Sequence, residues 1–217
     1  VQAFGILLWL ALSRNAVCVI ADLLTIEGKI TMKKFIAYAA MAVSFLYSGS
    51  LAAAEFTLTS SDFKAGDSLG NAQVANSFGC SGGNISPALA WANAPKDTRS
   101  FVLMVYDPDA PTGSGFWHWV VLNIPATATN LPQGIAADDK TRLPAGAIQS
   151  RTDVGVPGFI GACPPQGDKP HRYQFTLYAL DVASLPLNAD TTPAVVGFNV
   201  HFHTLAKAQL QAVYQRK

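Results

Sequence analysis

The sequence predicts a mainly β domain that ends in a helix, and three observations carry that prediction. Residues 101–105 and 120–122 are unbroken apolar runs. Residues 172–181 alternate, so that Tyr173, Phe175, Leu177 and Ala179 share one side of a strand. After Thr192 the apolar period changes from two to three and four, with Val196, Val200, His203 and Lys207 in line.

The first 54 residues divide into an upstream stretch, 1–31, and a targeting segment, 32–54. Residues 1–31 are apolar over 4–12 and 16–24, broken by Ser13-Arg14-Asn15, and Met32 follows them. They read as upstream sequence absent from the product; a second membrane segment is the alternative. Met32-Lys33-Lys34 is a cationic start, residues 35–47 are apolar, and Leu51-Ala52-Ala53-Ala54 is a small-residue cleavage site before Glu55. That is the tripartite pattern of a secretory signal peptide over 32–54. The apolar run is too short to span a bilayer comfortably. A periplasmic or secreted product is therefore expected, with no stable membrane insertion after cleavage.

Residues 55–217 then form one domain of 163 residues, with no internal repeat and no long linker. A chain of this size buries about 70% of its unfolded surface, enough for a single core. It carries 11 Lys and Arg against 12 Asp and Glu, a formal charge of −1. This balance excludes long-range attraction of nucleic acid or anionic lipid, so any anion must be held by a local site. The domain keeps two cysteines, Cys80 and Cys163. An even count in an exported chain suggests a disulfide. Two buried thiols are the alternative.

Residues 55–63 alternate as an edge strand, and 66–70 read as a turn. Phe78-Gly79-Cys80-Ser81-Gly82-Gly83-Asn84 is a glycine-rich loop without the lysine of a phosphate-binding P-loop. Residues 88–92 form a short strand carrying Trp91. Residues 100–106 and 117–124 are strands buried on both faces. Residues 125–139 are irregular, 147–153 read as another strand, and 155–169 form a long loop rich in glycine and proline. Thr192 and Pro193 suit the start of a helix. Ala206, Ala208, Gln209 and Leu210 are helix formers, which extends the helical expectation through 205–214.

The chemistry gathers between the two buried strands and at the start of the third. Asp107-Pro108-Asp109-Ala110-Pro111 precedes Trp117-His118-Trp119, and His171-Arg172-Tyr173 opens the alternating strand. The aspartates could ligate a metal, act as acid and base, or hold a turn through backbone N–H groups. His118 and His171 could each be core residues. His201 and His203 lie two apart, which on a helix points them in different directions, so that pair reads as structural. There is no nucleophile elbow, no dinucleotide fingerprint and no zinc spacing. A small hydrolase using His118 or His171 with Asp107 or Asp109 remains the enzymatic alternative.

In this order, DPDAP, GFWHWVVLNIP and GACPPQGDKPHRYQFTLYAL resemble the phosphatidylethanolamine-binding proteins, also called Raf-kinase-inhibitor-like proteins. GCSGGNISPALAW resembles their bacterial branch of the YbhB/YbcL type. The resemblance covers nearly all of 56–214. It implies two packed antiparallel sheets, a larger central one on a smaller one, with few helices including one near the C-terminus. It implies a small-anion pocket formed by Asp107, Asp109, Pro111, His118, His171 and Tyr173, with the backbone from Gly161 to Cys163 as another wall. It also implies a phosphate, acetate or phosphoethanolamine-like ligand and modulation of a kinase or protease partner; it does not imply a general catalytic activity, and no cofactor or metal is expected. A surface loop such as 155–169 could carry inhibition independently of the pocket. By the same resemblance, Cys80 and Cys163 sit in loops beside the pocket, and the tight turn at Ala110-Pro111 is expected to be cis. Many eukaryotic members carry adjacent histidines where this chain has Trp117-His118-Trp119, so their partner specificity does not carry over.

Overall fold

The computed structural model describes residues 54–217, and the leader and signal-peptide readings lie outside them. Two antiparallel sheets form the domain. The smaller joins β1 (Thr57–Ser60), β2 (Leu89–Ala92) and β5 (Asn130–Leu131) in the order β1-β2-β5. The larger joins β3 (Ser100–Asp107), β4 (Phe116–Pro125), β6 (Ile148–Ser150), β7 (His171–Leu180) and β8 (Thr204–Tyr214) in the order β6-β4-β3-β7-β8. A helix, α1 (Pro193–His203), precedes β8.

The apolar run in β3 is buried on both faces because different layers cover them. Phe101, Leu103 and Val105 point into the core shared with Leu58, Leu89, Trp91 and Leu131 of the small sheet. Val102 and Met104 point the other way, onto Leu185 and onto Val196 and Val200 of α1. Side chains that alternate across a strand make both layers from one run. The predicted face of β7 is buried throughout: Tyr173, Phe175, Leu177 and Ala179 all belong to the inter-sheet core.

The C-terminus departs from the expected helix. Only residues 193–203 are helical, with Pro193 in the first turn and Val196 N–H bonded to the Thr192 carbonyl at 3.0 Å. The Thr192 side chain makes no cap bond. Residues 204–214 form β8, which pairs with β7 from Leu180↔Thr204 to His171↔Tyr214. Ala208, Leu210 and Ala212 are buried at alternate positions, a strand period hidden among good helix formers. Lys207 therefore leaves the helical line on which the sequence placed it. His201 and His203 do lie on α1, where His203 Nδ1 meets Asp181 Oδ1 at 2.9 Å.

The Ala110–Pro111 bond is trans, as is every other described peptide bond, which corrects the cis expectation. The reversal is made another way. Thr112 N–H reaches back to the Ala110 carbonyl at 2.8 Å, so Pro111, whose φ is fixed by its ring, is the centre of a three-residue turn. The rest of the loop is closed by the Thr112 hydroxyl on the Gly115 carbonyl and by Gly113 and Gly115 at φ 82° and 70°. Gly115 could not be larger, since a Cβ there would lie 2.2 Å from the Tyr106 hydroxyl.

Candidate functional site

The ends of β3, β4 and β7 converge on a cavity of about 230 Å³. Asp107 closes β3, His118 lies early in β4, and His171 and Tyr173 open β7. Since β3 pairs with both β4 and β7, residues far apart in sequence meet at one end of the sheet. Asp107, Pro111, His118, Gly161, His171 and Tyr173 all line the cavity.

Asp109 does not line it. Its Oδ2 accepts from Arg172 N–H at 2.9 Å and from Arg172 Nε at 2.8 Å, and its Oδ1 accepts from Nη2 at 2.8 Å. The Arg172 guanidinium holds the Asp109 carboxyl down to about 2. The pair staples the 107–115 loop to β7 and leaves Arg172 engaged rather than available to a ligand.

Each histidine is fixed through Nδ1. His118 Nδ1 lies 2.9 Å from the Ile160 carbonyl, a group that can only accept, so Nδ1 carries the hydrogen. The His118 ring packs between Phe116 and Tyr173, with centroids 4.9 and 5.1 Å away. Burial pushes the His118 pKa down, against the opposing pull of the Ile160 carbonyl and Asp107. His171 Nδ1 meets Asp107 Oδ2 at 2.7 Å, and both side chains are almost fully buried. Asp107 Oδ1 accepts from Asp109 N–H at 2.8 Å, the usual way an aspartate fixes a turn. His118 Nε2 is left for another partner, whereas His171 Nε2 lies 3.4 Å from Asp168 Oδ2.

Tyr173 is the sharpest feature. Its hydroxyl is buried and has no hydrogen-bond partner within the described protein. Burial, and then the nearby Asp107 charge, push its pKa up, so the phenol stays protonated and is a donor. A buried hydroxyl left unpaired costs about 1–3 kcal/mol.

The opposite wall comes from two loops that the sequence linked only through Cys80 and Cys163. Asn84, at φ 51°, accepts the Gly161 N–H through Oδ1 at 2.8 Å and donates to the Phe159 carbonyl at 3.3 Å. Ala75 N–H bonds the Ala162 carbonyl, and Ala162 N–H the Gln73 carbonyl, both at 3.0 Å. Cys80 and Cys163 form a disulfide with Cα atoms 6.0 Å apart, as expected. The glycine-rich segment is therefore a brace for the 159–163 wall, and a glycine in the wall itself permits close approach of the 73–75 backbone. Gly161 shows why: a Cβ there would lie 2.5 Å from both Ala75 N and the Gln73 carbonyl. Gly161→Ala should lower unfolding stability by about 1–3 kcal/mol, the range for an overpacked site. The midpoint of chemical denaturation measures it, and an unchanged midpoint would contradict the backbone contact.

Phe78, Phe116, Pro164 and Pro165 also line the cavity. Phe78 is 62% exposed and sits at φ 55°, an unusual conformation for a bulky residue and one that recurs near binding sites. The sequence offered no signal for it beyond its place before Gly79.

This combination defines a class: a two-sheet β domain with a small polar-floored cavity at the ends of its central strands. The profile of the family described as phosphatidylethanolamine-binding protein matches residues 59–215. The chain is 50% identical to the UPF0098 protein YbcL of Escherichia coli over 165 residues, covering 76% of this chain and 90% of that one. It is also 50% identical to the E. coli UPF0098 protein YbhB over 157 residues, 72% of this chain and 98% of that one. The crystal structure of E. coli YbcL, described as a new member of the mammalian PEBP family, superposes with a TM-score of 0.74 over 76% of this chain and all of that one. A homologue from Chlamydia trachomatis, described as a putative phosphatidylethanolamine-binding protein, gives a TM-score of 0.63 at 31% identity, covering 75% of this chain and 98% of that one. The chain belongs to the phosphatidylethanolamine-binding protein family.

Proposed function

We propose that the domain is a non-enzymatic receptor for a small oxyanion, phosphate or a phosphoethanolamine-like group, acting in an exported setting. The observation that carries this reading is the unpartnered Tyr173 hydroxyl, buried beside His118 in a cavity lined by both histidines. A ligand oxygen there would accept from the phenol, and from each imidazole Nε2 once that ring is protonated. At about 230 Å³ the cavity is smaller than the usual range for drug-sized ligands, and it suits a head group. The Cys80–Cys163 disulfide supports export, since such bonds persist in oxidising compartments.

The chemistry of His118 gives the test. With Nδ1–H on the Ile160 carbonyl, neutral His118 offers Nε2 only as an acceptor, and an oxyanion needs a donor there. Burial disfavours the charged ring in the free protein, so anion binding should draw in a proton. Affinity should rise as pH falls from neutral through 6 and below. Sulfate, whose charge is fixed across this range, separates this effect from titration of the ligand. Calorimetric titration with sulfate and phosphate should show proton uptake. His118→Ala should remove that uptake and weaken binding by about 1–3 kcal/mol, the scale of a hydrogen bond involving charge. Equal binding by wild type and His118→Ala would place the anion elsewhere.

A further inference from the structure

A second carboxylate reaches His171, and it has no structural task. Asp168 lies on the segment leading into β7 and places Oδ2 3.4 Å from His171 Nε2. This is the nitrogen that an anion in the cavity would use, because Nδ1 is taken by Asp107 at 2.7 Å. The two contacts differ in kind. Asp107 is buried and hydrogen-bonded to a neighbouring backbone N–H, whereas the Asp168 side chain is 43% exposed and makes no other bond. At 3.4 Å its contact is an ion-pair distance rather than a good hydrogen bond. Its backbone, by contrast, is held: the carbonyl accepts from Gln215 Nε2 at 2.9 Å, and the N–H donates to Pro165 at 3.3 Å.

We infer that Asp168 is a resident competitor for the anion position and a selectivity residue of the cavity. An incoming oxyanion must take His171 Nε2 from this carboxylate and then sit beside its charge. A ligand that carries its own cation next to the phosphate meets attraction where a bare phosphate meets repulsion. The neighbouring guanidinium of Arg172 does not offset the penalty, since it is engaged by Asp109. Two charges about 4 Å apart near a protein surface interact strongly enough to change an equilibrium ten-fold or more. The inference rests on the anion-receptor reading given above.

Ethyl phosphate and O-phosphoethanolamine isolate the effect, because they share a phosphate monoester and differ by one ammonium group. Their affinities should be measured by calorimetry at one pH and ionic strength for wild type, Asp168→Asn, Asp168→Glu and His118→Ala. Wild type should prefer O-phosphoethanolamine. Asp168→Asn should gain about ten-fold for ethyl phosphate and bring the ratio of the two affinities toward one. Asp168→Glu should restore the wild-type preference. Thermal midpoints should be unchanged in both position-168 variants, since the side chain holds nothing else. If His118→Ala weakens both ligands while Asp168→Asn leaves their ratio untouched, the selectivity role is wrong and the receptor reading stands. If His118→Ala binds both ligands as wild type does, the cavity is not the site and both ideas fall.

Discussion

Removing the Cys80–Cys163 disulfide should cost about 4–5 kcal/mol of stability and should open the cavity wall before the domain unfolds. The bond closes a loop of 83 residues. In the chain-entropy model a cross-link of that span restricts the unfolded chain by about 4.5 kcal/mol, less any strain in the native state. The local consequence follows from position. Cys163 lines the cavity, and Cys80 belongs to the loop carrying Phe78 and Asn84. Without the covalent link, the 78–84 loop is tied to 159–163 by Asn84 on Gly161 and Phe159 and by the neighbouring backbone pairs. Arg216 Nη2 also holds the Gly79 carbonyl at 2.7 Å. These bonds keep the two loops adjacent, so the double Cys→Ser variant should fold with the same sheets. Urea denaturation of the oxidised protein, the reduced protein and the double variant measures the first effect. Amide hydrogen exchange measures the second: protection should fall at 78–84 and 159–165 while β3 and β7 keep theirs. A loss below about 1 kcal/mol would show that the reduced chain retains the loop closure by other means.

The strands were legible in the sequence wherever burial and pattern agreed. The runs at 101–105 and 120–122 and the alternation through Tyr173, Phe175, Leu177 and Ala179 are direct images of the layers that cover them. β8 was not legible, and the reason is physical. Its buried residues are Ala208, Leu210 and Ala212, two of them alanines, so period two is carried by small side chains among strong helix formers. Helix propensities differ by tenths of a kcal/mol per residue, whereas pairing along most of β7 satisfies a whole row of backbone groups. Tertiary pairing overrides such a weak local preference. The turn at Pro111 was misread for a related reason. A proline in a tight loop is compatible with either isomer, and the Thr112 N–H that selects trans geometry is not marked by any residue type.

The candidate site was marked by the family motifs, while residue chemistry alone left it open. Asp107, His118, His171 and Tyr173 are polar groups at the ends of buried strands, which need partners in a turn or core as much as in a binding site. Asp109 carries the same chemistry, yet it faces Arg172, two positions from Asp107 along the loop. Nothing in an Asp-x-Asp pattern tells which carboxylate turns inward. The braces are less visible still. Asn84 and Gly161 are 77 residues apart, and their bond depends on the packing of two irregular loops. Asp168 escaped notice because it is a lone acid in a polar segment, and only the fold brings it to His171.

Asp107→Ala should be the most damaging single side-chain deletion in the cavity, at about 3–5 kcal/mol. Asp107 is 2% exposed and serves two donors, Asp109 N–H through Oδ1 and His171 Nδ1 through Oδ2. Truncation removes both acceptors and leaves both donors buried. Hydrogen bonds to a charged group are worth about 1.5–3 kcal/mol each, and breaking a buried pair by removing one partner costs about 3–5 kcal/mol. Relaxation toward solvent can recover little, because His171 is itself only 2% exposed. Asp107→Asn is the informative contrast. Its side-chain oxygen can keep the Asp109 N–H, and its amide can pair with His171 Nδ1 if the ring hydrogen moves to Nε2. That variant should lose only about 1 kcal/mol, near the net value of a neutral hydrogen bond. The two substitutions therefore separate the need for an acceptor from the need for a charge. Denaturation midpoints of both variants give the energies, and nitrogen-15 shifts of the His171 ring report which nitrogen carries the hydrogen. If Asp107→Ala and Asp107→Asn destabilise equally, the charge rather than the bonding pattern holds this corner, and His171 is kept in place by electrostatics alone.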